Sequence, residues 1–155
     1  MAFKVPARRV DQSALKVNQA FVLVLLALGL VLNSLPMIGI VALVLLVGTA
    51  SPDLALFHIF YRDGLRPARI VKPHVIIDNP EPHSFAQGFG GTLVTLGLIA
   101  QMLDYNLLGV ALIGFVALLA LTYLLLNFCG GCFIYYQLNR LGIPGFRHSP
   151  IRVRQ

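Results

Sequence analysis

From Leu107 to Phe128 the chain runs LLGVALIGFVALLALTYLLLNF, 22 residues without one charged side chain. At about 1.5 Å rise per residue such a helix is roughly 33 Å long, enough to cross the ~30 Å hydrocarbon core of a bilayer. In lipid a single segment can satisfy its backbone polar groups only as a helix. The rest of the sequence is built in the same way. Of the 155 residues, 57% are hydrophobic and 12% charged, about half the charged share of an average soluble domain. Mean hydropathy is +0.81. These values name lipid as the solvent and leave no room for a sizeable soluble core beside the apolar segments.

Turn residues divide the chain. Met1 to Gln19 is polar and basic, and Asp11 or Ser13 can cap a short lead-in helix. The apolar run Ala20–Leu32 follows a long polar lead and has no small-residue cleavage site directly after it, so it is expected to be retained rather than removed as a signal peptide. Asn33 to Pro36 (NSLP) is a turn in which Ser34 caps the next helix and Pro36 occupies its first turn. Ser51, Pro52 and Asp53 open a further helix, whose Phe57, Phe60 and Tyr61 suit the headgroup level; a kinked continuation of the second span is the alternative. Asp104 to Asn106 (DYN) is the last hairpin. The expected architecture is all-α: one polytopic membrane domain of four transmembrane helices, near residues 17–33, 36–50, 85–103 and 107–128, with short interfacial helices and a central loop over 51–84. Regular helix is improbable around the four loop prolines, Pro67, Pro73, Pro80 and Pro82, and HVIID (His74–Asp78) suits a short extended segment.

Charge orients this arrangement. The 12 basic residues are Lys4, Arg8, Arg9 and Lys16 before the first span, Arg62, Arg66, Arg69 and Lys72 in the central loop, and Arg140, Arg147, Arg152 and Arg154 after the last. The hairpins at 33–36 and 104–106 have none. Four crossings put all three basic segments on one side, which the positive-inside rule makes cytoplasmic. The net charge of +6 therefore has a membrane explanation, and no basic patch interleaved with aromatic residues suggests a nucleic-acid partner. No Asp, Glu, Lys, Arg or His falls inside any expected span, which argues against a proton-coupled transporter.

The only two cysteines, Cys129 and Cys132, are spaced C-x-x-C at the cytoplasmic end of the fourth span, where Gly130 and Gly131 loosen the helix. Reducing conditions on that side disfavour a static disulfide. Three readings stay open. The pair can be a thiol-redox or sulfur-relay site, in which one thiolate attacks and the other resolves. It can be plain packing. With two histidines it can make a tetrahedral metal shell; none of His58, His74, His83 and His148 stands at a helical spacing from the pair, so no metal ligand and no cofactor is assigned. Glu81 and Gln87 are expected at the same boundary as supporting groups, although an S-x-x-Q capping box from Ser84 to Gln87 gives that motif a structural reason too. Gly88, Gly91, Thr92 and Thr95 share a face of the third helix and suit close helix packing. Thr122, Tyr123 and Asn127 are expected to hydrogen-bond between helices.

Three segments, VDQSALKVNQAF from Val10, NPEPHSFAQGFG from Asn79 and FCGGC from Phe128, carry a resemblance. In that order they resemble a bacterial membrane-protein family, domain of unknown function 4395, over about Val10 to Tyr136. Its patterns are P-E-P-A-R-F-A-Q-G and F-C-x-G-C-x-x-Y. Pro80, Glu81, Pro82, Phe85, Ala86, Gln87 and Gly88 match the first, and Phe128, Cys129, Gly131, Cys132 and Tyr135 the second; His83 and Ser84 replace its alanine and arginine. The resemblance implies a bacterial membrane protein; with the span count and the placement of charge, the expected location is the cytoplasmic (inner) membrane, multi-pass, with both termini cytoplasmic. It brings no established chemistry. Relatives encoded beside thioredoxin-like or sulfurtransferase proteins make those the partner class to expect for a thiol carrier. The other function class is a non-catalytic accessory subunit of a larger membrane complex of respiratory or photosynthetic type. Whether the chain is an enzyme stays open at this level.

Overall fold

The computed structural model of the chain describes residues 9–50, 63, 64, 67, 74–78 and 80–145. Among these it is helical: α1 (Gln12–Val31), α2 (Leu35–Ala50), α3 (Pro80–Met102), α4 (Asn106–Leu126) and α5 (Gly130–Arg140). Two three-residue strands, β1 (Arg9–Asp11) and β2 (Val75–Ile77), pair antiparallel with Val10 opposite Ile76. The extended segment expected at HVIID is thus present, and it adds a small ribbon to an otherwise helical fold. The helix expected from Ser51 and most of the basic loop lie outside the described residues.

Local chemistry sets the element ends. The Asp11 carboxylate accepts from the Ser13 N–H at 3.0 Å and starts α1. The lead-in and first span are therefore one helix, with Lys16 in its second turn. Asn33 takes a positive φ of 47°, the Ser34 N–H donates to the Gly29 carbonyl at 2.8 Å, and α2 follows with Pro36 in its first turn. Asp104, at φ 66°, makes the equivalent turn before α4. Against expectation, α3 begins at Pro80 rather than near Phe85. Pro80 and Pro82 both fall within its first turn, where no backbone N–H is owed to the helix. Ser84 consequently lies inside the helix and is not its cap.

The helices close a four-membered ring: α1 packs on α2, α2 on α3, α3 on α4 and α4 on α1, while α5 lies against α3. Val22 and Leu26 of α1, Ile38 and Val41 of α2, Val94 of α3 and Ile113 of α4 are at most 1% exposed and fill the centre. Two glycines let α3 and α4 meet backbone to backbone. A Cβ on Gly97 would stand 3.1 Å from the Gly109 carbonyl oxygen, and one on Gly109 2.8 Å from that of Gly97.

By length and composition two helices can cross a membrane, α1 and α4. The four expected crossings are therefore not all matched by apolar helices of full length. α2 is apolar but has 16 residues, and α3 is long enough at 23 residues but is diluted by glutamines, glycines and threonines. The last correction concerns the cysteines. α4 stops at Leu126, Asn127 turns left-handed at φ 53° and ψ 24°, and Cys129 caps a separate helix. The C-x-x-C motif opens α5 instead of closing α4.

Candidate functional site

The site is built from the start of α5 and the start of α3. Cys129 is extended, with φ −90° and ψ 102°, and its Sγ accepts the Cys132 N–H at 3.2 Å. A sulfur in this position faces the positive end of the helix dipole. In the structure the two cysteines are joined as a disulfide. A static disulfide is disfavoured by the sequence reading; the N-cap position of Cys129 brings its sulfur back over the first turn to Cys132. Cys132 is 7% exposed, whereas Cys129 is half-buried and lines a cavity.

Gly131 seats this turn on α3. A Cβ there would overlap the Cβ and backbone of Ala86. Without one, α5 comes down onto α3, supported by Phe85 packing edge-on against Tyr135 with ring centroids 5.7 Å apart. Ala86 lies three residues after His83, so the same close approach delivers His83 to the cysteines. Its Nδ1 stands 3.4 Å from Cys132 Sγ, and its Nε2 3.1 Å from Asp78 Oδ2. Asp78 is held by the short segment between β2 and α3, and β2 is tied to the start of α1: the Gln12 N–H donates to the His74 carbonyl at 2.9 Å and the His74 N–H to Ser13 Oγ at 3.2 Å.

These contacts fix the ring's polarity. An ionised carboxylate only accepts, so the proton of a neutral His83 sits on Nε2 toward Asp78. Nδ1 then presents its lone pair to Cys132 Sγ. That lone pair can take a proton from a thiol or bind a cation.

A cavity of about 60 Å³ adjoins the pair, lined by Cys129, Gly130 and Gly131 with His83, Gln87, Asn18 and Tyr123 among others. Asn18 is 2% exposed. Its Oδ1 and the Gln87 Nε2 are buried and have no hydrogen-bond partner among the described residues.

The residues singled out from sequence are distributed as follows. Cys129 and Gln87 line the cavity, and Cys132 is bonded to Cys129 beside it. Glu81 is half-buried in the first turn of α3 and does not line it. Gly88 and Gly91 face α2, where added Cβ atoms would meet Thr49 Cγ2 at 2.8 Å and Leu46 Cδ2 at 3.0 Å. Thr92 and Thr95 hydrogen-bond back to the carbonyls of Gly88 and Gly91 within α3, and Thr122 to Leu118 within α4, not across helices. His83, Asp78 and Asn18 are absent from the sequence-based set. The available signal for His83 was its i, i+4 relation to Gln87, a residue already expected near the cysteines.

The structure thus defines a helical protein with membrane-compatible apolar helices and a C-x-x-C turn buttressed by histidine and aspartate. The chain belongs to the family described as Domain of unknown function (DUF4395), whose model matches residues 10–140. No curated protein and no solved structure matches it.

Proposed function

We propose that the chain is a four-span membrane thiol-redox protein whose cytoplasm-facing Cys129–Cys132 pair exchanges electrons with a thioredoxin-like or sulfur-transfer partner. The placement of the pair supports this most. Cys129 sits at a helix N-terminus beside the cavity, and buried Cys132 lies against a histidine polarised by a carboxylate.

The difference in exposure supports one division of roles. Cys129 is the accessible sulfur and attacks. Its thiolate forms a bond to one sulfur of the partner's disulfide, and the partner's other sulfur leaves as thiolate. His83 Nδ1 takes the Cys132 proton, and the Cys132 thiolate attacks Cys129 Sγ. The second partner sulfur leaves, so two electrons have passed to the partner and the chain holds the Cys129–Cys132 disulfide. A dithiol of thioredoxin type reverses the sequence. Asp78 holds the His83 ring in place throughout.

The outer surface supports the membrane part of the reading. Val31, Leu43, Leu107, Leu118 and Leu125 are each more than half exposed, which fits an exterior that faces lipid. All 12 basic residues fall at one end of the four-span scheme.

The test is acid-quenched alkylation of cells followed by mass spectrometry of the Cys129–Cys132 peptide. The wild-type pair is expected to be divided between dithiol and disulfide. Cys132→Ser is expected to accumulate a reducible mixed disulfide on Cys129, and Cys129→Ser to accumulate none. Fully reduced thiols under every growth condition, with neither variant trapped, would remove the redox reading.

A further inference from the structure

We propose that the reduced chain holds a zinc ion on His83 Nδ1, Cys129 Sγ and Cys132 Sγ, with Asp78 orienting the histidine. The proposal uses the same cysteines as the redox reading but stands whether or not the pair passes electrons.

Geometry carries it first. The three donor atoms lie within 4.8 Å of one another. Zinc bonds of about 2.3 Å to sulfur and about 2.1 Å to nitrogen, at tetrahedral angles, set sulfur and nitrogen roughly 3.6 Å apart. Cys132 Sγ and His83 Nδ1 are 3.4 Å apart. One small rearrangement is needed: reduction lets the two sulfurs separate to the edge of the same tetrahedron.

The surroundings agree. A histidine that binds zinc through one nitrogen usually donates the other N–H to a carboxylate or carbonyl, which fixes the tautomer; here Asp78 Oδ2 accepts from Nε2 at 3.1 Å. Two thiolates and a neutral imidazole cancel the charge of Zn²⁺, so the loaded site adds no net charge to a largely buried place. Thiolate and imidazole are donors that suit zinc, whereas magnesium and calcium want oxygen. Three protein ligands leave a fourth position, as in zinc sites that keep an exchangeable ligand. The adjacent cavity of about 60 Å³ offers that ligand space. A water in it would find the unpartnered Asn18 Oδ1 and Gln87 Nε2. Disulfide formation removes both thiolate donors, so the oxidised chain releases the ion. Zinc occupancy and thiol oxidation are mutually exclusive states of one turn.

The experiment uses the full chain in mild detergent, reduced with a phosphine and titrated anaerobically with Co²⁺, then with Zn²⁺. One Co²⁺ per chain is expected, with a thiolate-to-cobalt charge-transfer band that Zn²⁺ abolishes. The oxidised chain should show no band. Cys129→Ser and Cys132→Ser should each lose about half of its intensity along with most of the affinity. His83→Ala should weaken binding at least ~10-fold, and Asp78→Asn by about 10- to 100-fold, the usual range for a lost ligand-orienting group. His83→Gln, with an unchanged thermal transition, separates loss of a ligand from loss of the fold. No charge-transfer band in the reduced wild type, or equal affinity in a folded His83→Gln chain, would overturn the proposal. A chain that binds no cobalt yet traps a mixed disulfide sinks the zinc site alone. One that binds cobalt and traps nothing sinks only electron exchange.

Discussion

Two adjacent glycines in the C-x-x-C turn have different tasks. A Cβ on Gly130 would meet only Leu119 Cδ2, at 2.9 Å, the far end of a flexible side chain. A Cβ on Gly131 would meet the α3 backbone at Ala86, which cannot step aside. Gly131→Ala is therefore expected to cost about 1–3 kcal/mol, the usual range for overpacking, and to lift α5 from His83. Gly130→Ala should cost much less. Thermal unfolding of both variants in the same detergent checks the order; equal transitions would mean that the α3–α5 approach is not set at Gly131. The sequence reading credits both glycines with loosening a helix, because a sequence does not reveal what a missing side chain makes room for. His83 was hidden for the same reason. It is 49 residues from Cys132 in the chain and reaches it where α5 packs on α3, beside the close approach at Gly131.

At the scale of elements, the decisive feature is the break between α4 and α5. Apolar periodicity continues through Leu124, Leu125 and Leu126 towards Phe128, and nothing in it marks a stop. Asn127 supplies the stop by adopting the left-handed conformation, which asparagine tolerates and β-branched residues do not. The turn frees Cys129 to cap α5. Asn127→Val is expected to destabilise the chain by about 1–2 kcal/mol and to disturb the cysteine pair, while Asn127→Gly leaves both nearly unchanged. Denaturation midpoints, together with the rate at which a maleimide labels the reduced cysteines, would register the difference. A valine variant that behaves as wild type would show the helix can run through. The turns at Asn33 and Asp104 were readable because polar, turn-forming residues interrupt apolar runs there; at Asn127 a single polar residue stands inside one.

For the whole molecule, the exposed apolar side chains, and the basic residues that the four-span scheme gathers at one end, support the proposed topology with both termini cytoplasmic. Alkaline phosphatase inserted between Asp104 and Tyr105 should be active, because that hairpin would face the periplasm. The same enzyme fused after Gln155 should be inactive, and a fluorescent protein there bright. An active C-terminal phosphatase would reverse the orientation and move the cysteines to the oxidising side. Composition and periodicity alone determined that the described residues are mainly helical, where most of those helices lie, and that the cysteines stand near a helix end. These properties depend on local propensity and on solvent preference, which act residue by residue. The tertiary structure decided that the cysteines begin a helix rather than end one, and that His83 and Asp78 join them. It also decided that α3 meets α4 through Gly97 and Gly109 and meets α5 through Gly131. Such choices are set by which backbones can approach each other closely, and that is a property of pairs of segments distant in sequence.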